Sequence, residues 1–122
     1  MPQPPTVASI VLVVEDEDLV RTMAVDVLED EGFTVIEAAT ADEAWAVLDA
    51  RDDIAILFTD VEMPGSMNGL DLASRVAGRW LRIRLVLTSG PVRLSNQAVP
   101  DHGTFVPKPY YPNQLLRAFG CA

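Results

Sequence analysis

The chain has 122 residues, 49% of them hydrophobic, which suits one domain with its own core and excludes a disordered chain. Its net charge of −9 excludes a general affinity for nucleic acid, whose phosphates demand a basic surface. One cysteine, Cys121, excludes an intramolecular disulfide and fits a reducing, cytoplasmic setting, and the apolar run Ile10 to Val14 is far too short to cross a membrane.

Charge is unevenly spread. Residues 1–62 hold sixteen Asp and Glu against two Arg, a balance of −14, whereas residues 63–122 hold two Asp against seven Lys and Arg, a balance of +5. The arginines Arg75, Arg79, Arg82 and Arg84 read as the solvated end of a helix, where cations are favoured.

Residues 1–8 carry no basic segment followed by an apolar one, so they read as a disordered tail rather than a signal peptide. Residues 9–122 read as one domain. The first strand is expected over about Ser9–Val14. A helix follows over Asp18–Asp30, with Leu19, Met23, Val27 and Leu28 on its apolar face, and Gly32 ends it. The second strand is expected near Phe33–Glu37. Thr40-Ala41-Asp42-Glu43 has the spacing of a capping box and opens a helix that buries Ala44, Trp45 and Leu48. The third strand is Ile54–Thr59, too short for an isolated helix and apolar enough to be buried on both faces. A third helix starts near Asn68, with Leu70, Ala73, Val76 and Ala77 at helical spacing. The fourth strand is Ile83–Thr88, the fifth is near Thr104–Val106, and the last helix covers about Asn113–Phe119. Between the fourth and fifth strands, Pro91 and Pro100 bracket a segment with little apolar stripe, so the fourth helix of the alternation is expected to be short or irregular. The βα alternation predicts an α/β three-layer sandwich: a parallel sheet with helices on both faces.

Ligands of such sheets bind at the carboxyl ends of the strands. The residues expected at that edge are Glu15 and Asp16 after the first strand, Asp60 after the third, Thr88 and Ser89 after the fourth, and Lys108 after the fifth. Three carboxylates at one place repel one another unless a cation joins them. Oxygen ligands without a His or Cys cluster favour a hard ion, Mg2+ before Ca2+ or Zn2+. Lys108 is the sole lysine; the other eight basic residues are arginines. It stands between Pro107 and Pro109, where a long cationic stem can neutralise a carboxylate or hold a phosphoryl oxygen. Pro107 cannot donate to a ladder, which places the fifth strand at a sheet edge. Pro109 is a candidate cis residue that aims Lys108 inward.

Four motifs run in order: Val13-Val14-Glu15-Asp16, Phe58-Thr59-Asp60-Val61-Glu62-Met63-Pro64-Gly65, Leu87-Thr88-Ser89, and Phe105-Val106-Pro107-Lys108-Pro109. Together they make the chain, from about Ser9 to Phe119, resemble the receiver domain of two-component response regulators, the CheY-like superfamily. The resemblance implies a flavodoxin-like fold with strand order 2-1-3-4-5. It implies that Asp60 is the phosphoacceptor, and that Glu15, Asp16, Asp60 and the backbone carbonyl of Glu62 hold Mg2+. Thr88 and Ser89 would bind the phosphoryl group with Lys108, and Thr88 and Phe105 would form the switch. The implied partners are a sensor histidine kinase or histidine phosphotransfer protein and an unknown downstream protein, with neither nucleic acid nor membrane bound directly; phosphorylation-dependent dimerisation stays open. Such a chain catalyses only its own phosphorylation and dephosphorylation.

Glu15 departs from the family's commoner Asp, Phe105 from its commoner Tyr, and the loop Gly65–Gly69 runs one residue long. The Glu62 side chain, at the pocket mouth, would slow phosphoryl entry or hydrolysis by repulsion. Competing readings are a pseudo-receiver that binds partners without phosphorylation, a Mg2+-dependent phosphatase and a flavodoxin-like cofactor protein. The phosphatase would carry a second Asp where Glu62 stands, and the acidic pocket disfavours a flavin phosphate.

Overall fold

The computed structural model describes residues 9–121; the tail expected over 1–8 lies outside them. The described elements are β1 (Ile10–Val14), α1 (Asp18–Asp30), β2 (Thr34–Ala38), α2 (Ala41–Ala50), β3 (Ile54–Asp60), α3 (Gly69–Arg79), β4 (Arg84–Ser89), β5 (Thr104–Pro107) and α4 (Pro112–Ala118). All strand pairs are parallel, in the order β2-β1-β3-β4-β5. This is the expected flavodoxin-like sandwich, and β5 is the edge strand that Pro107 required. Alternate residues of each strand serve opposite faces. Val11, Val13, Ile56, Phe58 and Val86 meet Ala24, Val25 and Leu28 of α1 and Leu115 and Ala118 of α4. Leu12, Val14, Leu57, Leu85 and Leu87 meet α2 and α3 on the other side.

The face of α1 differs from the expectation. Ala24, Val25 and Leu28 are buried, while Leu19 is 82% and Met23 66% exposed. Leu28 is buried as expected and Val27 is half-buried against the same cluster, but Leu19 and Met23 fall on the side of the helix away from Leu28 and stay outside it. Trp45 is half-buried rather than buried, and its ring meets that of Trp80 edge to face at 5.4 Å. Trp80, which had no evident role in the sequence, thus ties α2 to the end of α3, with the Arg79 guanidinium 4.5 Å from its ring and paired to Asp49 at 2.6 Å. At the start of α2, Thr40 Oγ1 accepts from Glu43 N at 3.1 Å, but Glu43 Oε1 accepts from Ala39 N instead of closing the box on Thr40. The complete box lies at α3, between Asn68 and Asp71.

The segment between β4 and β5 forms two 3-10 turns, Asn96–Ala98 and Pro100–His102, in place of an α-helix, matching the short or irregular helix expected. Val99 is its buried anchor. Gly103 follows because a Cβ there would run into Val99 Cγ1 and come within 2.5 Å of the Leu85 carbonyl oxygen. Lys108 N donates to Ser89 O, so strand alternation points the Phe105 N–H away from β4. Asn96 Oδ1 accepts that N–H at 2.8 Å. Pro107 has none to offer, so the outer edge of β5 presents no free donor at either position.

Candidate functional site

The carboxyl ends of β1, β3 and β4 and the residue after β5 meet at one edge of the sheet. Register places Asp60 beside Thr88 and Val14 beside Thr59. Glu15 and Asp60 are both 4% exposed, whereas Asp16 is exposed. Carboxylate oxygens of Glu15, Asp16 and Asp60 lie within 4.8 Å of one another. Lys108 Nζ reaches between the two buried acids, 2.6 Å from Glu15 Oε1 and 2.8 Å from Asp60 Oδ2. The Lys108–Pro109 peptide bond is cis. The remaining oxygens accept backbone donors: Asp60 Oδ1 from Glu62 N and Glu15 Oε2 from Glu17 N, both at 3.1 Å.

Burial pushes the Glu15 carboxyl above its ordinary range, aided by the neighbouring Asp60 charge and opposed by the bonds from Lys108 and Glu17 N. Burial also acts to lower Lys108, but its bonds to Asp60 and Glu15 outweigh that and hold the ammonium above the usual lysine value. One lysine therefore serves two buried carboxylates. The donor set is oxygen only, and with Asp16 open to solvent it fits a hard divalent cation.

Thr88 is 2% exposed, and its Oγ1 has no hydrogen-bond partner among the described residues. An unpaired buried hydroxyl costs about 1–3 kcal/mol, and an oxygen acceptor entering the pocket would relieve that cost. Ser89 is fully buried, and its Oγ accepts from Val92 N at 3.2 Å, which anchors the chain leaving β4. Phe105 is half-buried with its ring against the core. The Glu62 side chain is exposed, and its residue touches the site through the backbone.

Two contributors escaped sequence reasoning. Gly69, the first residue of α3, sits where a Cβ would overlap the Asp60 carbonyl oxygen and lie 2.9 Å from Thr59 Oγ1. Its N–H donates to Val61 O at 3.0 Å, which locks the helix onto the loop after Asp60. Gly69→Ala is expected to cost about 1–3 kcal/mol in chemical denaturation, because the neighbours are backbone and cannot yield as a flexible side chain would. The second contributor is an open apolar groove of about 380 Å³ lined by Val20, Met23, Gly90, Lys108, Pro109 and Tyr110. Part of the signal was in the sequence, in the apolar residue Met23, but it read as core.

Tyr110 packs its ring edge to face on Phe58 at 6.0 Å, and burial, reinforced by the Glu15 charge, pushes its phenol from 10 up to about 12. A raised value favours the neutral phenol in the folded state. The associated stability is complete below pH 10 and is lost as pH rises toward 12. Tyr110→Phe is expected to flatten the alkaline decline in denaturation midpoint, by up to about 2 kcal/mol.

The acidic, lysine-bridged pocket lies at the point where strand order reverses, the place where open doubly wound sheets bind their ligands. The family model of the response regulator receiver domain matches residues 11–119, and the chain belongs to that family. It is 33% identical over 110 residues to chemotaxis protein CheY1 of Helicobacter pylori, covering 85% of this chain and 88% of that protein. It is 34% identical over 109 residues to sensor kinase CckA of Brucella abortus, covering 86% of this chain but 11% of that protein. The receiver domain crystal structure from Methanospirillum hungatei superposes with a TM-score of 0.81 at 24% identity, covering 93% of this chain and 91% of that one. The protein is thus a CheY-like receiver of two-component signalling, a class of signalling proteins rather than of conventional enzymes. Among the described residues no helix is long and apolar enough to cross a membrane.

Proposed function

We propose that this receiver accepts a phosphoryl group from a phosphohistidine onto Asp60 and signals through the groups that touch it. The observation that carries the reading is the Thr88 hydroxyl, buried and without a partner among the described residues, on the strand beside Asp60. Together with Lys108 it makes a cradle for phosphoryl oxygens next to a buried carboxylate. An oxygen of Asp60 attacks the phosphorus, the P–N bond breaks, and the histidine nitrogen leaves with its electron pair. Lys108 shifts its charge from the carboxylate to the transferring oxygens, and Thr88 donates to one of them. Mg2+, held by Glu15, Asp16, Asp60 and the Glu62 carbonyl, would neutralise phosphoryl charge when bound.

The all-oxygen acidic cluster supports this choice of ion. Catalysis is confined to Asp60 itself, its gain and loss of the phosphoryl group. The donor is a sensor histidine kinase or histidine phosphotransfer protein in the cytoplasm. We seat the donor on the groove between α1 and the Lys108–Tyr110 segment, because Lys108 lines both groove and site. Phe105, with Asn96 on its backbone N–H, lies where a response of Thr88 would pass into the segment that replaces a helix.

The test is incubation with acetyl phosphate and with a phosphorylated histidine kinase, each with and without Mg2+, followed by intact mass. Magnesium-dependent gain of one phosphoryl group is expected from both donors. An unmodified chain under all conditions would instead establish a pseudo-receiver.

A further inference from the structure

Arg21 lies on α1 and takes no part in the phosphoryl chemistry proposed above. Its side chain is only 16% exposed, in the half of the chain that carries sixteen acids and one other arginine. All three arms of its guanidinium are used. Nη1 donates to the backbone carbonyl of Glu15 at 2.7 Å, Nη2 to Asp18 Oδ1 at 2.7 Å, and Nε to Glu37 Oε1 at 3.1 Å. One planar group therefore joins the end of β1, the first turn of α1 and the carboxyl end of β2.

The bond to Glu15 is the informative one. It is made to the backbone, at the peptide unit shared by Glu15 and Asp16. That unit is rigid and planar, so fixing its carbonyl fixes the direction in which the chain enters Asp16. Glu15 is already held from the other side, by Glu15 N to Ala38 O and by its carboxylate to Lys108. Asp16 is exposed, and among the described residues no side chain bonds its carboxylate. Its place near Glu15 and Asp60 is thus set chiefly by backbone direction. A plain surface ion pair would need only the Asp18 contact, which is the ordinary i,i+3 helix pair.

We infer that Arg21 is the positioning residue of the acidic loop, holding the Glu15–Asp16 peptide so that Asp16 faces Asp60 across a divalent-cation site. The inference rests on the Mg2+ reading above. Charge and positioning predict opposite signs. A guanidinium near the pocket repels a divalent cation, so its removal tightens binding if charge alone matters. If it positions Asp16, its removal weakens binding.

The experiment is calorimetric titration of the full chain with MgCl2, with the thermal midpoint of each variant recorded alongside. Arg21→Ala and Arg21→Lys are both expected to bind Mg2+ about 10-fold more weakly, the effect common for groups that orient metal ligands. Lysine keeps the charge but cannot reach three acceptors as a planar fork does. Arg51→Ala, which loses only an exposed pair to Asp53, is the control and should bind as wild type does. Unchanged affinity in Arg21→Lys, or tighter binding in Arg21→Ala, overturns the inference even if the thermal midpoint falls. Should Arg21→Ala not fold, Arg21→Lys alone decides. If the wild-type chain shows no Mg2+ binding, the metal reading falls and this inference with it.

Discussion

Asp60→Asn is expected to reduce phosphoryl incorporation from acetyl phosphate to background while leaving the fold intact. The amide matches the carboxylate in size and its oxygen can still accept from Glu62 N, while its NH2, which cannot accept from Lys108, turns that lysine wholly to Glu15. It is not a nucleophile toward phosphorus, so the step loses its attacking group. Stability should hold because the wild-type pocket sets two buried carboxylates against one lysine. In the variant Lys108 faces Glu15 alone, a balanced pair. Mass spectrometry after labelling reads the first expectation and chemical denaturation the second. Labelling of the variant at the wild-type level would remove Asp60 from its assigned role.

Lys108→Met tests the opposite imbalance. It leaves Glu15 and Asp60, both nearly inaccessible, facing each other with no cation. Removing one partner of a buried ion pair costs about 3–5 kcal/mol, because the charge left behind has lost both water and counter-ion. That loss is expected in EDTA, and Mg2+ should recover part of it by mass action on the folded state. The deficit should also shrink as pH falls, since burial and the neighbouring Asp60 charge raise the Glu15 carboxyl, and a group so raised contributes most stability when protonated. A variant as stable as wild type in EDTA at neutral pH would mean that Lys108 does not neutralise the pair. Phosphoryl incorporation should fall too, although Mg2+ retains part of the electrostatic stabilisation.

Much of this site was legible in sequence because it sits at strand ends. A short apolar run that stops at a carboxylate places that carboxylate at the sheet edge whatever the detailed packing. Asp60, Thr88 and the pair Glu15-Asp16 were located in this way, and Lys108 by its singularity between two prolines. The boundaries moved by a residue where the pairing runs on past the apolar stretch, as at Asp60, Ser89 and Pro107. Gly69 was read as part of a long loop because a glycine carries no pattern. Its need appears only when α3 is set against the carbonyl of Asp60.

What the sequence by itself determined is the alternation of elements, the parallel sheet, the failure of a helix between Pro91 and Pro100 and the chemistry gathered at the carboxyl edge. These follow from period, from proline and from strand polarity, which are local properties. The tertiary structure alone decided which way α1 is turned. Leu19 and Met23 made as good an apolar stripe as Ala24, Val25 and Leu28, but the sheet buries the second set, and Arg21 meets Glu15 and Glu37. It also decided that one lysine would lie between two acids distant in sequence, at 2.6 and 2.8 Å. Helix rotation and long-range charge pairing depend on what lies across the gap, and no stretch of chain carries that information alone.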